Sequence, residues 1–538
     1  MHLRCLVVLL GLSLSACGGG GGGGSSPAAN KGQLPADTTT ASDGRSRQVN
    51  ATCPFTQVLS AARNDSRRIE RVSWVQTAEF DATAPNVQLI ANKPVLARVD
   101  LLTTSSSASP SRAFLLVSNA GACTRLALTS PASIPTEVDR QTLNSAYSVT
   151  IPANLVEPGS TVAVVFDDDQ GRSASEADQT YRLFQLPVRS SLTETIRVIP
   201  ITYKGQSGFV TSNKDLTDFM VRLHPITGFA LSTEAAFAPP SLNQSVLGLL
   251  VPGQESFLTM QAVLSELDDE CARRNGAQTS ARTAPKCLGV FPNNLTFRSA
   301  TGQVVGLAFV GGVSMLAQSV SATDDFAEVS AYGANHWLNF RALTVAHEYG
   351  HLLNLDHAAC GGPTDTDPRL YADGRLGGGA GYDPTRKFYF SSQRLNNSGQ
   401  PQFGDLMSYC AKEWSSDRGY VAALNYRAGP SARLAAQDAG ARSQWLKITA
   451  HGGRWQLRPV DFTPSTLRVT NATLQAVAAN GVTAVPVYAA VIADAPELTQ
   501  GPFFADVGNL NPLRLTLLGA DSAGGLPIQW SAQEWIKR

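Results

Sequence analysis

The chain carries no net charge, has no long apolar run beyond its first twenty residues, and holds only five methionines. Lys plus Arg and Asp plus Glu both number 43. Nucleic-acid binders draw affinity from a cationic surplus over phosphate, so no nucleic-acid partner is expected. A membrane-crossing helix needs about 20 consecutive apolar residues, and nothing after the N-terminus supplies them. At 538 residues the chain exceeds one ordinary domain, so two or three are expected. A hydrophobic share of 43% with 46 Gly and 30 Pro fits a loop-rich, β-containing globular protein.

The N-terminus reads as an export signal. Arg4 supplies a positive start, and Leu6 to Leu14 is apolar but too short to span a bilayer. Leu14-Ser15-Ala16-Cys17 resembles a bacterial lipobox, in which the cysteine is lipidated and becomes the first mature residue. Residues 1–16 are thus expected to be removed and Cys17 to anchor the chain to a membrane. Gly18 at the next position fits sorting to the outer membrane or cell surface of a Gram-negative bacterium. Six further cysteines remain after Cys5 leaves: Cys53, Cys123, Cys271, Cys287, Cys360 and Cys410. An even count in an exported chain implies disulfides, and six cysteines allow 15 pairings. Sequential pairing (53–123, 271–287, 360–410) keeps each bridge inside one domain and is preferred.

Gly18 to Gly24 is an unbroken glycine run, and residues 17–50 form a tether with nothing to pack. Residues 51–190 show short alternating runs such as Val95-Leu96-Ala97-Arg98-Val99, which predict a β-sandwich. From 191 to 430, strand-like runs (Ile196 to Tyr203, Gln303 to Val310) alternate with helical stretches at Asn213–Leu223, Glu255–Arg274 and Trp337–Leu353. That alternation predicts an α/β or α+β domain. Residues 431–538 return to β patterning and predict a small C-terminal β domain.

Residues 347–357 read H-E-Y-G-H-L-L-N-L-D-H. His347 and His351 are four apart, so they lie one turn from each other on one helix face and can meet one Zn²⁺. Glu348 on the adjacent face suits a general base that is not itself a ligand. His357 lies ten residues beyond His347, so the chain must turn sharply after Leu353 for it to join. Asn354 stands at that turn, and asparagine tolerates left-handed backbone better than any residue but glycine. Gly350, inside the helix, costs helix stability. Downstream, Asp405-Leu406-Met407-Ser408-Tyr409-Cys410 contains the only methionine after the histidines.

This constellation resembles the metzincin clan of zinc peptidases, whose pattern is H-E-x-x-H-x-x-G-x-x-H followed by a Met-turn. Asn354 replaces the glycine. The resemblance implies an α/β (α+β) metzincin-like catalytic domain, flanked by the N-terminal β-sandwich and the small C-terminal β domain. It implies zinc on His347, His351 and His357, with Glu348 as general base. Met407 would floor the site, and Tyr409 would stabilise the oxyanion. A substrate-binding strand edge is expected at Val304 to Gly311. The H-E-x-G-H core and an upstream β domain with the phrase Ala91-Asn92-Lys93-Pro94 also resemble StcE/TagA-type bacterial lipoprotein peptidases, some of which cut mucin-type glycoproteins.

The resulting expectation is a zinc endopeptidase acting on extracellular or envelope proteins or glycoproteins, monomeric and held to the membrane by lipid. The alternatives are a surface adhesin whose zinc domain is structural, and a zinc hydrolase of another bond such as a peptidoglycan amide. An intact Glu348 speaks against the adhesin. Asp365, Asp367, Asp373 and Asp383, set among glycines, read as a solvated loop, with Ca²⁺ binding as the alternative. His224, His336 and His451 read as structural.

Overall fold

The computed structural model describes residues 67–518. Within that span it leaves out 168–180, 244–253, 277–280, 321–339, 429–444, 461–466, 493–502, 508–513 and a few shorter stretches. The expected signal, Cys17, the tether, Cys53 and His336 therefore lie outside the described residues. None of the described helices is long and apolar enough to cross a membrane.

Strand accounts for 46% of the structure and helix for 18%. The described strands form eight sheets, against five α-helices: α1 (Asn213–Leu223), α2 (Pro240–Asn243), α3 (Phe257–Asn275), α4 (Phe340–Leu352) and α5 (Asp417–Ala428). The expectation of an α/β metzincin-like domain is therefore corrected: the chain is a predominantly β protein. The reason is physical. Long amphipathic helices leave a strong periodic signal, whereas strands of two to five residues, whose partners lie far along the chain, leave almost none. Residues 380–383 and 388–391 are such strands.

Two sheets share the first core. One has five strands and includes Arg68–Asp81, Val95–Leu102 and Tyr147–Ile151; the other has four and includes Arg112–Asn119 and Thr161–Asp167. Trp74, Val99, Leu115, Tyr147 and Val164 are fully buried between them. The first sheet also recruits Ala380–Asp383, with Thr77 opposite Tyr382 and Ala78 opposite Gly381. Lys93, buried beside it, donates to the carbonyls of Val221 (2.6 Å) and His224 (2.7 Å). It thereby satisfies groups that the C-terminus of α1 would otherwise bury unpaired.

A second five-stranded sheet carries helices on both faces. Gly228–Thr233, Thr193–Pro200, Lys286–Phe291 and Ser314–Gln318 run parallel, and Gly306–Ala308 closes the edge antiparallel to Ser314–Gln318. α1 and α4 pack on one face and α3 on the other. α1 is capped by Ser212, whose Oγ accepts from the Asp215 amide. α3 starts in the same way from Ser256.

The strand expected over 303–310 is two strands. Gly302–Val304 pairs with Thr296–Ser299, and Gly306–Ala308 joins the larger sheet. A six-stranded antiparallel sheet follows, running from Trp445–His451 to Arg514–Leu518. It meets the rest through Lys447, which pairs with Asp268 (2.8 Å) and Asp269 (2.6 Å) of α3, and through an antiparallel bridge between Ile492 and Phe309.

Candidate metal centre

α4 buries Ala342, Ala346 and Tyr349 against the core at the spacing of one helix face. His347 and His351 lie on its flank. The helix ends where the carbonyls of Gly350 and His351 accept the amides of Leu355 (3.3 Å) and Asn354 (2.8 Å). This pair of bonds is a Schellman closure, and it needs a left-handed residue at Asn354, whose φ is 65°. The chain then reverses. His357 is tied by the Asp367 amide, which donates to its carbonyl at 2.8 Å, and the next residue, Ala358, donates to the Met407 carbonyl at 2.8 Å.

The three imidazoles converge. One ring nitrogen from each of His347, His351 and His357 lies within 4.8 Å of the other two, a group that can hold a metal ion. His351 and His357 are fully buried and His347 partly so. The outer nitrogens fix the tautomers. Nδ1 of His347 faces the Leu406 carbonyl at 2.8 Å, and Nδ1 of His351 faces the Leu355 carbonyl at 2.7 Å. A carbonyl only accepts, so each Nδ1 holds the proton and each Nε2 presents a lone pair. Those two Nε2 atoms are 3.1 Å apart. Facing lone pairs at that distance repel, and a cation between them turns the repulsion into ligation. Burial, and then the neighbouring His357 and His347, hold His351 well below the usual histidine range, in the neutral form a metal requires. The donor set therefore fits a metal.

Around this group the chain is tightly fitted. Met407 is fully buried beneath α4. A Cβ at Gly350 would sit 2.4 Å from its sulfur, so only glycine lets the thioether approach there. Glu348 is buried, and its carboxylate lies against Gly306 of the edge strand, where a Cβ would come within 2.2 Å of Oε1. Tyr409 is half exposed, and its hydroxyl lies 2.8 Å from Nε2 of His357, within hydrogen-bond distance. Disulfides join Cys360 to Cys410 and Cys271 to Cys287, with Cα atoms 5.6 Å and 5.9 Å apart. The first ties the segment after His357 to the residue after Tyr409. For the pair expected between Cys53 and Cys123, the Cys53 end lies outside the described residues.

The acidic run does not gather. Asp367 pairs with Arg369, Asp383 with Arg222 at 2.8 Å, and Asp373 accepts the Arg375 amide; Asp365 lies outside the described residues. His224 is buried with its ring against the Ala346 carbonyl, and burial followed by the Lys93 charge pushes its pKa down to about 3.

Two contributors escape sequence reasoning. Asp405 is buried, and its Oδ1 accepts the Met407 amide at 2.8 Å, setting the turn beneath the histidines. Its signal is local, an aspartate two residues before the amide it caps. Gly306 has no local signal, because the carboxylate it accommodates is 42 residues away. Comparison with family models finds no match for this chain, and comparison with curated proteins finds none.

Proposed function

We propose that this protein is a zinc-dependent endopeptidase of extracellular or envelope proteins, with a site of the metzincin type. The observation that carries the reading is the pair of proton-fixed imidazoles whose lone pairs face each other beside His357, with the buried Glu348 next to the first ligand. Imidazole nitrogens in a three-member set suit zinc. Structural zinc sites close with four protein ligands, whereas hydrolytic ones keep three and leave a position for water. Among the described residues this group has three.

His347, His351 and His357 would hold the ion, which when bound supplies a Lewis acid and lowers the pKa of water towards ~7. Glu348 accepts the proton of the attacking water and delivers it to the amide nitrogen as the C–N bond breaks. Gly306 keeps that carboxylate beside the strand edge, where an extended peptide can align by main-chain pairing. Tyr409 exchanges its hydrogen bond to His357 for one to the oxyanion. The two disulfides fit an oxidising compartment, in accord with export and a lipid anchor at Cys17. Glycoproteins are included in the substrate class, without a favoured member.

The test is incubation of the purified soluble part with a proteome-derived peptide library, with and without chelator, beside Glu348→Gln. Wild type should cut with a readable preference and stop when chelated. The variant should keep its metal and lose about 10²–10⁴-fold in rate. Full activity in Glu348→Gln would sink the mechanism. Absence of cleavage by metal-loaded wild type would favour the adhesin.

A further inference from the structure

The strand edge beside the metal centre is not open along its whole length. Gly306–Ala308 pairs with Ser314–Gln318 on one side. The Phe309 amide donates to the Ser314 carbonyl at 3.3 Å, and the Val305 carbonyl accepts the Gln318 amide at 3.2 Å. Main-chain groups of successive residues in a strand point to alternate sides. Gly306, Ala308 and Val310 therefore turn their amides and carbonyls outward. Val310 is already engaged there. Its amide donates to the Val491 carbonyl at 3.0 Å, and Ile492 bridges Phe309 antiparallel. The two residues after the strand Gly481–Ala490 thus lie on this edge as an added strand.

The contact is anchored at two further points. Ile492 is buried with Leu307, Phe309 and Leu316. Lys447 of the six-stranded sheet is buried between Asp268 and Asp269, and Asp268 also accepts from Ser314 Oγ at 3.0 Å. Ser314 is the partner of Phe309 in the edge hairpin, so one chain of polar bonds ties the C-terminal sheet to the hairpin it covers. Pulling the lysine out would leave buried charge uncompensated, which is strongly unfavourable. The added strand is therefore a standing part of the edge.

The Glu348 carboxylate lies against Gly306, and Phe309 is three residues further on, about 10 Å at the rise of an extended strand. A peptide that joins the edge antiparallel, as Val491 and Ile492 already do, points its N-terminal end toward Phe309. On that side it finds open edge for about three residues and then meets Val491. We infer that Val491 and Ile492 are specificity-determining residues, which end the main-chain subsites on the N-terminal side of the cleaved bond after about three positions. The inference rests on the peptidase reading. The ligand selected is an extended peptide with a short N-terminal reach along the edge, and a longer substrate must turn away from the sheet at Phe309.

The experiment measures binding of acetylated alanine peptides that end in a hydroxamate, from one to about six residues long, to the metal-loaded protein. The hydroxamate takes the metal and sets the register, so every residue lies on the N-terminal side. Affinity should climb about threefold or more per residue up to about the third, then level off. Ile492→Asp puts a charge where the segment is buried and should lift it from the edge. Lys447→Gln loosens the same dock without touching the edge, and serves if Ile492→Asp does not fold. In the loosened protein the climb should continue past the third residue, and the Val310 amide should exchange with solvent at least about tenfold faster. A wild-type affinity that keeps climbing to the sixth residue would overturn the inference, as would a plateau that persists in a variant whose Val310 amide exchanges fast. Unchanged Val310 exchange in a folded Ile492→Asp would overturn it too, and so would hydroxamates that bind at no length. None of these readouts needs hydrolysis. The peptidase reading fails if metal-loaded wild type cuts no peptide, and the length series decides the wall separately.

Discussion

Replacing Gly350 with alanine tests the packing beneath the metal centre. The added Cβ would lie 2.4 Å from the Met407 sulfur and 3.2 Å from its methyl group. Non-bonded contact requires about 3.5–4 Å, so the thioether must retreat by about 1 Å or more. It has little freedom to do so. Met407 is fully buried, its amide is held by Asp405 and its carbonyl by Ala358. Overpacking of this kind costs about 1–3 kcal/mol, while exchanging a mid-helix glycine for alanine returns about 1 kcal/mol. Gly350→Ala should therefore lose about 0–2 kcal/mol, and Met407→Ala alone about 2–5 kcal/mol from the cavity. In the double variant the new methyl meets no sulfur, so the loss should fall short of the sum by the overpacking term, about 1–3 kcal/mol. Urea unfolding of the metal-loaded proteins, fitted to the transition that releases the metal, gives all four corners of the cycle. Additivity within about 0.5 kcal/mol would refute the argument, since it would mean that the two residues do not meet.

Asn354→Gly should leave stability within about 1 kcal/mol, whereas Asn354→Val should cost about 1–2 kcal/mol and speed metal loss to a chelator, because a β-branched residue resists a φ of 65°; equal melting temperatures for the two would contradict this. Cys360→Ser opens a loop of 50 residues between Tyr409 and the segment after His357, worth about 4 kcal/mol in the chain-entropy limit, and should lower the melting temperature and the metal retained after dialysis; unchanged metal content would count against the staple. Asp405 is pushed up to about 6 by burial. From the ordinary carboxyl range of about 4 up to 6 the folded protein holds a proton that the unfolded chain has released, so stability falls as pH rises through that window, by about 3 kcal/mol in all. Asp405→Asn keeps an acceptor for the Met407 amide and should remove that slope, so melting curves from pH 4 to 7 that stay parallel between the two proteins would exclude the assignment.

Much of the metal group is legible because helix geometry and one turn create it. His347 and His351 share a face by spacing alone, and Asn354 marks the reversal that returns His357. Met407 stands out through the scarcity of methionine. Glu348 is legible as a carboxylate in a motif, but its seat against Gly306 depends on an edge strand that only tertiary pairing positions. The β content is harder to read. The strands at 380–383 and 388–391 contain Gly, Tyr, Asp, Phe and Ser in runs too short to show alternation, and they exist because Arg68–Asp81 offers them an edge.

The pairing of Thr77 with Tyr382 also has a bearing on how the molecule is made. The sheet begun by the first described strand is completed by residues synthesised some three hundred positions later. Thr77 itself takes a φ of 70°, unfavourable for a β-branched residue, and its hydroxyl and carbonyl are held by partners at Arg222, Lys93 and Trp414. The restraint from Trp414 does not exist on a nascent N-terminal half. Until the histidine segment has emerged, that half presents an open strand edge, a template for wrong partners. Closure of this sheet is thus a late event in biogenesis, with a high loop-closure cost. Completing it brings the tail of the metal loop into register with the N-terminal sheet, so assembly of the scaffold and assembly of the metal centre finish together.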